Sequence, residues 1–189
     1  TKSHASSKPA RLSTVDPVWQ HVRREAEDIV RREPELASFI YSTVLHHDRL
    51  EAAVVHRIAD RLDHPSLSGD LIRQTYYEAL REDPDIGNAF RSDLVAVFDR
   101  DPATARFIDP LLYFKGFHAI QPHRLAHWLW TRGRKDFAYC LQSRASSALQ
   151  CDIHPAARIG RGIFLDHATG FLDQKHPGGN AQTESSRSQ

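Results

Sequence analysis

Cys151-Asp152-Ile153-His154-Pro155-Ala156-Ala157-Arg158-Ile159-Gly160-Arg161-Gly162-Ile163-Phe164-Leu165-Asp166-His167-Ala168-Thr169-Gly170 is the stretch on which the fold turns. Ile153, Ile159, Leu165 and the following Phe171 recur every six residues, with small, polar and glycine positions between them. A helix repeats at 3.6 residues and a strand at 2, so neither produces this spacing. A parallel β-helix does, with one inward aliphatic per hexapeptide. Ile153 to Gly170 holds three hexapeptides, enough for one triangular coil. The period stops there, because the next inward position falls on Pro177 and the chain from about Asp173 is polar and rich in Gly, Ser and Gln. Solenoid coils stabilise one another by stacking, so a single coil is expected to leave Ile153, Ile159 and Leu165 uncovered and to fray.

Upstream the period is helical. Asp16-Pro17 is a cap followed by a proline at the first helical position, and Val18, Val22, Ala26 and Ile29 follow at helical spacing to about Arg32. Leu36, Phe39, Ile40 and Val44 predict a second helix, stopping near His46-His47-Asp48, and Leu50, Val54, Ile58 and Leu62 a third, ended before Pro65. Ser68 opens a fourth with Leu71, Ile72, Tyr76 and Leu80 on one face. Ile86, Phe90, Leu94, Val97 and Phe98 supply a fifth. Short turns between them favour antiparallel neighbours. After a short helical piece between Asp101-Pro102 and Asp109-Pro110, Phe114, Phe117, Ile120, Leu125, Trp128 and Leu129 read as a buried face, which Phe137, Leu141 and Ala145 continue beyond Gly133. The expected fold is therefore mainly α: a disordered lead (1–15), a helical domain (16–150), a one-coil start of a β-helix (151–171) and a disordered tail (172–189).

Composition narrows the function. The 25 Lys+Arg and 24 Asp+Glu leave a net charge of +1, which argues against nucleic-acid binding by counterion release. No stretch has the ~18 consecutive apolar residues of a membrane span, and the first thirteen residues lack a signal-peptide core. Two cysteines, Cys140 and Cys151, with no CxxC pair make neither a disulfide framework nor a zinc knuckle. These features point to a reducing, cytoplasmic compartment. Gly160-x-Gly162 is followed by Leu165 in place of a third glycine, and neither a Walker A loop nor a GxSxG elbow occurs. His123 and His127 stand four apart on a helix without the glutamate of a zincin or a third ligand, so no metal site is expected.

The chemistry-bearing residues are Asp152, His154, Asp166 and His167. A histidine whose tautomer is fixed by a carboxylate can take a proton from an alcohol, which is otherwise a poor nucleophile. Asp and His are equally at home as turn residues of a solenoid corner, and spacing alone does not separate the two readings.

Four strings resemble one family: Pro110-Leu111-Leu112-Tyr113-Phe114-Lys115-Gly116-Phe117-His118-Ala119-Ile120-Gln121, His127-Trp128-Leu129-Trp130, Asp152-Ile153-His154-Pro155-Ala156-Ala157 and Leu165-Asp166-His167-Ala168-Thr169-Gly170. Together they are similar to serine O-acetyltransferase, the first committed enzyme of cysteine synthesis, in order from about Asp16 to Gly170. The resemblance implies a helical domain that joins trimers into hexamers, followed by a left-handed hexapeptide β-helix. It implies that His167 is the general base toward the serine hydroxyl and Asp152 its orienting carboxylate. It also implies that Asp101 and Asp166 hold the substrate, that L-serine and acetyl-CoA are cosubstrates with no bound cofactor, and that transfer is direct.

The sequence departs from the family after Gly170, where the expected further coils, most of the acetyl-CoA cleft and the tail that docks into O-acetylserine sulfhydrylase have no counterpart. No cofactor-binding residue is assigned, and a sulfhydrylase contact is not expected. Two functions follow from different classes. One is a serine O-acetyltransferase impaired by truncation. The other is a non-catalytic helical module that retains homo-oligomerisation, since a base without its acyl-donor cleft loses the positioning that supplies much of the rate.

Overall fold

Asp16 starts the fold as expected: its Oδ1 accepts the Trp19 N–H at 3.1 Å and Pro17 occupies the first position of α1 (Pro17–Arg32). The computed structural model describes residues 16–166 and the short strand at 170–172. The lead 1–15, the tail from 173, both expected to be disordered, and His167 lie outside the described residues. Helix α1 buries Trp19, Val22, Ala26 and Ile29, so Trp19 takes the inward place expected of Val18. The second helix is less regular than its spacing suggests. A tight turn at Pro34–Leu36 leads into α2 (Ala37–Ile40), which widens into a π turn over Tyr41–Leu45 that brings Thr43 and Val44 inward together.

Helices α3 (Leu50–Leu62), α4 (Gly69–Glu82) and α5 (Asp85–Arg100) follow the expected boundaries closely. Ser68 caps α4 by accepting the Leu71 N–H at 3.3 Å. Leu71 itself, expected on the buried face, is exposed; Ile72, Thr75, Tyr76 and Ala79 line that face instead, and the Thr75 hydroxyl donates back to Leu71 O at 2.7 Å. Phe98 at the end of α5 stacks on Phe107 with ring centroids 4.0 Å apart, which seats α6 (Ile108–Leu112).

Helix α7 (Lys115–Thr131) differs most from expectation. Its sequence reads as a one-faced helix, yet every residue from Gly116 to Ala126 is buried, because α3, α4, α5, α6 and α8 (Lys135–Leu149) surround it. An enclosed helix has no solvent face to display, so its polar residues must find partners inside.

From α8 the chain passes through Gln150, in the left-handed region at φ 56°, into β1 (Cys151–Ile153). One coil later β2 (Gly170–Leu172) returns to pair with it in parallel, Cys151 with Gly170, Asp152 with Phe171 and Ile153 with Leu172. Leu172, assigned to the tail by its sequence, thus belongs to the coil. The expectation of uncovered aliphatics is corrected for Ile153 and in part for Ile159 and Leu165. Ile153 and Ala157 are buried, and Ile159, Ile163 and Leu165 are half-buried against the same core as the helices. The helices thus supply the coil's apolar contacts, with α8 packed against β1. His154 closes the first corner, its ring 5.2 Å from Trp130 and 5.7 Å from Tyr139.

Candidate active site

Asp152 lies in β1, half-buried, and its Oδ1 accepts the amide N–H of Gln142 at 2.6 Å. The ladder sets Asp152 opposite Phe171, four residues beyond His167 in sequence. A short strand on a helical base therefore carries the carboxylate, and a side chain from α8 fixes its rotamer. His167, the expected partner of Asp152, is outside the described residues, as is any distance between them.

Asp101 ends α5. Its Oδ1 accepts the Ala103 N–H at 2.9 Å and its Oδ2 the Thr104 hydroxyl at 2.8 Å. A carboxylate has about four acceptor sites, so Asp101 keeps capacity for a further donor such as an ammonium group. Asp166 is exposed. The two aspartates belong to segments that meet: Arg100, next to Asp101, donates to Gly162 O at 3.1 Å. Gly162 takes φ +73°, a conformation in which a side chain is strained, and so aims its carbonyl at α5.

Several residues of the junction were not anticipated. Asp93, Gln121 and Arg124 form a buried polar cluster between α5, α7 and the coil. The signal was present, since Asp93 sits among Ile86, Phe90, Leu94 and Val97 on the apolar stripe of α5, and a buried carboxylate demands a partner. Gln142 offered no such signal, for a polar residue on a helix usually faces water.

The histidines of α7 serve packing. His118 donates from Nε2 to Leu111 O at 2.7 Å, and His127 Nδ1 is paired with Pro155 O at 2.8 Å. Burial holds both His118 and His123 at a pKa of about 3, so they are neutral at ordinary pH. Among the described residues no group of three His, Cys, Asp or Glu side chains converges as metal ligands would. The Cys151 thiol is pushed up by burial and then by Asp152, the reverse of what a nucleophile needs. A cleft of about 450 Å³ opens beside the coil, lined in part by Asp83, Asp85, His127, Arg132 and Arg161. None of Asp101, Asp152 and Asp166 lines it.

Comparison with known proteins identifies the family. Residues 18–122 match the family described as "Serine acetyltransferase, N-terminal". The serine acetyltransferase of Haemophilus influenzae is 46% identical over 155 residues, 82% of this chain and 58% of that protein, and that of Escherichia coli K12 is 45% identical over 155 residues, 82% of this chain and 57% of that protein. The structure of serine acetyltransferase from Brucella abortus in complex with coenzyme A superimposes with a TM-score of 0.83 at 58% identity, covering 86% of this chain and 65% of that one. The Neisseria gonorrhoeae enzyme in complex with serine gives 0.80 at 44% identity, over 86% of this chain and 67% of that one. The chain thus spans between about half and three-fifths of the length of the curated relatives it matches. Helical unit, coil and sequence identity lead to one conclusion: the chain belongs to the serine acetyltransferase family.

Proposed function

We propose that the chain transfers an acetyl group from acetyl-CoA to the hydroxyl of L-serine, giving O-acetyl-L-serine and coenzyme A, the reaction of cysteine biosynthesis that its family resemblance implies. The observation that carries this reading is the Asp152 carboxylate, held by Gln142 on the strand that pairs with Gly170–Leu172. A fixed carboxylate is what turns a neighbouring imidazole into a general base, and the resemblance gives that imidazole as His167. The relatives solved with coenzyme A and with serine support the choice of cosubstrates.

In this scheme His167 takes the serine hydroxyl proton as the oxygen attacks the thioester carbon. The new C–O bond forms while the carbonyl electron pair moves onto oxygen. Collapse of the tetrahedral species breaks the C–S bond, and the imidazolium returns the proton to the departing thiolate. Asp152 stabilises that imidazolium, and Asp101 and Asp166 pair with the substrate ammonium. The cysteines take no part.

The test is serine-dependent release of coenzyme A thiol from acetyl-CoA by the purified chain. Release that requires both substrates supports the reading. Acetyl-CoA that stays intact in the presence of serine overturns it and leaves the assembly of helices as the function. The same reading includes self-association of the helical unit 16–150, supported by large side chains left exposed on its surface, Tyr41, Leu71, Tyr77 and Tyr113 among them. Light scattering at tens of micromolar decides that part, and a strictly monomeric species sinks it.

A further inference from the structure

Three residues before Asp166, the coil is gripped by a buried ion pair. Asp93, in the middle of α5, is 1% exposed. Its Oδ2 accepts from Arg124 Nε at 3.1 Å, Arg124 Nη2 at 2.6 Å and Gln121 Nε2 at 3.2 Å, while its Oδ1 accepts the Ile163 N–H at 2.9 Å. Arg124 Nη2 also donates to Gly160 O at 2.9 Å. Both members of one ion pair therefore hold the same short backbone segment, one by its donor and the other by its acceptor. A buried ion pair is often no more stabilising than apolar side chains of equal volume. Its distinct contribution is direction, since each hydrogen bond fixes where a backbone atom stands.

A second contact lies two residues further on. Gly116 is in the first turn of α7, and a Cβ there would fall 1.8 Å from Leu165 O, 2.9 Å from Leu165 C and 3.4 Å from Leu165 Cβ. Glycine inside a helix costs about 0.5–1 kcal/mol relative to alanine, and here that cost coincides with a backbone contact no other residue permits. The next residue is Asp166.

We infer that Asp93 and Gly116 are positioning residues through which α5 and α7 fix the segment 160–166, so that the helical unit sets where the Asp166 carboxylate stands. The inference rests on the proposed reading only for the role of Asp166 toward serine. The placement of the segment is independent of it.

The test compares the full chain with Gly116→Ala and Asp93→Asn by hydrogen exchange and by calorimetric titration with L-serine. In Gly116→Ala the amides of 160–166 exchange at least about tenfold faster while those of α3 and α5 keep their rates, because only the seat of Leu165 is lost. The thermal midpoint stays where it was, and serine affinity falls by about fivefold or more. Asp93→Asn loosens the same segment and also lowers the midpoint, since Arg124 loses its counter-charge. Should that variant fail to fold, Gly116→Ala carries the test alone, because the three atoms nearest its added methyl all belong to Leu165. Unchanged exchange of 160–166 in Gly116→Ala overturns the inference, and so does a faster segment with undiminished serine affinity. A parent chain that binds no serine refutes the functional reading instead, and the exchange rates still decide the positioning.

Discussion

Gln142 reaches from the middle of α8 to Asp152 on β1 and donates its amide N–H across 2.6 Å. The helix that delivers the chain into the coil therefore also orients the carboxylate on the coil's first strand. Removing the donor in Gln142→Ala frees that carboxylate without touching a buried apolar contact of α8. Serine-dependent turnover is expected to fall roughly three- to tenfold, the scale of one charge-assisted hydrogen bond acting on orientation, with both KM values unchanged. An unaltered kcat would show that Asp152 needs no such support.

His167→Ala should remove ~10² to 10⁴ of the turnover, the usual contribution of a general base. Asp152→Ala should cost less, because it leaves the imidazole in place with its tautomer unfixed. Steady-state thiol release measures both, and the order of the two losses is the point at issue: a larger loss for Asp152 would contradict the assigned roles.

Asp16 joins three elements, capping α1 through Trp19 N–H and accepting from Arg91 Nε at 2.8 Å and Nη2 at 2.5 Å, while Arg91 also donates to Glu51 at 2.9 Å. Asp16→Ala loses both cap and ion pair and should cost about 2 kcal/mol in urea denaturation. Asp16→Asn keeps the cap and should recover about half of that. Equal losses in the two variants would locate the whole effect in the charge.

The Tyr76 hydroxyl is fully buried, with no hydrogen-bond partner among the described residues, and burial pushes its pKa up. Tyr76→Phe removes a desolvated group at almost constant shape, so stability should be unchanged or higher by about 1 kcal/mol. A loss of that size on denaturation would reveal a partner for the hydroxyl.

Acid should destabilise the fold through His118 and His123. Burial, the nearby Arg57 and Arg61 for His118, and His127 and Arg124 for His123, hold both at a pKa of about 3 in the folded chain against 6.5 as the ordinary value. Between those values the unfolded chain binds more protons, so stability rises with pH there. It is complete above about 6.5 and is lost progressively as pH falls toward 3, at about 1.4 kcal/mol per pH unit for each histidine. Urea midpoints at pH 7, 6 and 5 read the slope, and His123→Gln should halve it. A flat profile over that range would mean that the rings reach water.

The helices were legible because their signals are local. Asp16-Pro17, Ser68 and the apolar spacing of α1, α3, α4 and α5 act within a few residues, and their boundaries survive folding almost unchanged. The six-residue period of Ile153, Ile159 and Leu165 announced the coil for the same reason, one inward position per turn of backbone. Asp152 and Asp166 were candidates by residue type and by resemblance; the anchoring of Asp152 came only from the structure.

By itself, then, the sequence determined the mainly helical class, the start of a coil and the family to which the motifs point. Tertiary structure alone decided what packs against that coil. Periodicity describes how one segment presents its faces and says nothing of which distant segment meets them. So the apparently one-faced α7 proved to be enclosed, and Ile153, Ile159 and Leu165 proved to pack against the core of the helices. The partners of buried polar groups are likewise set by proximity in space: Asp93 meets Ile163 and Gly116 meets Leu165 across long stretches of chain, and it is these meetings that hold the residues before Asp166.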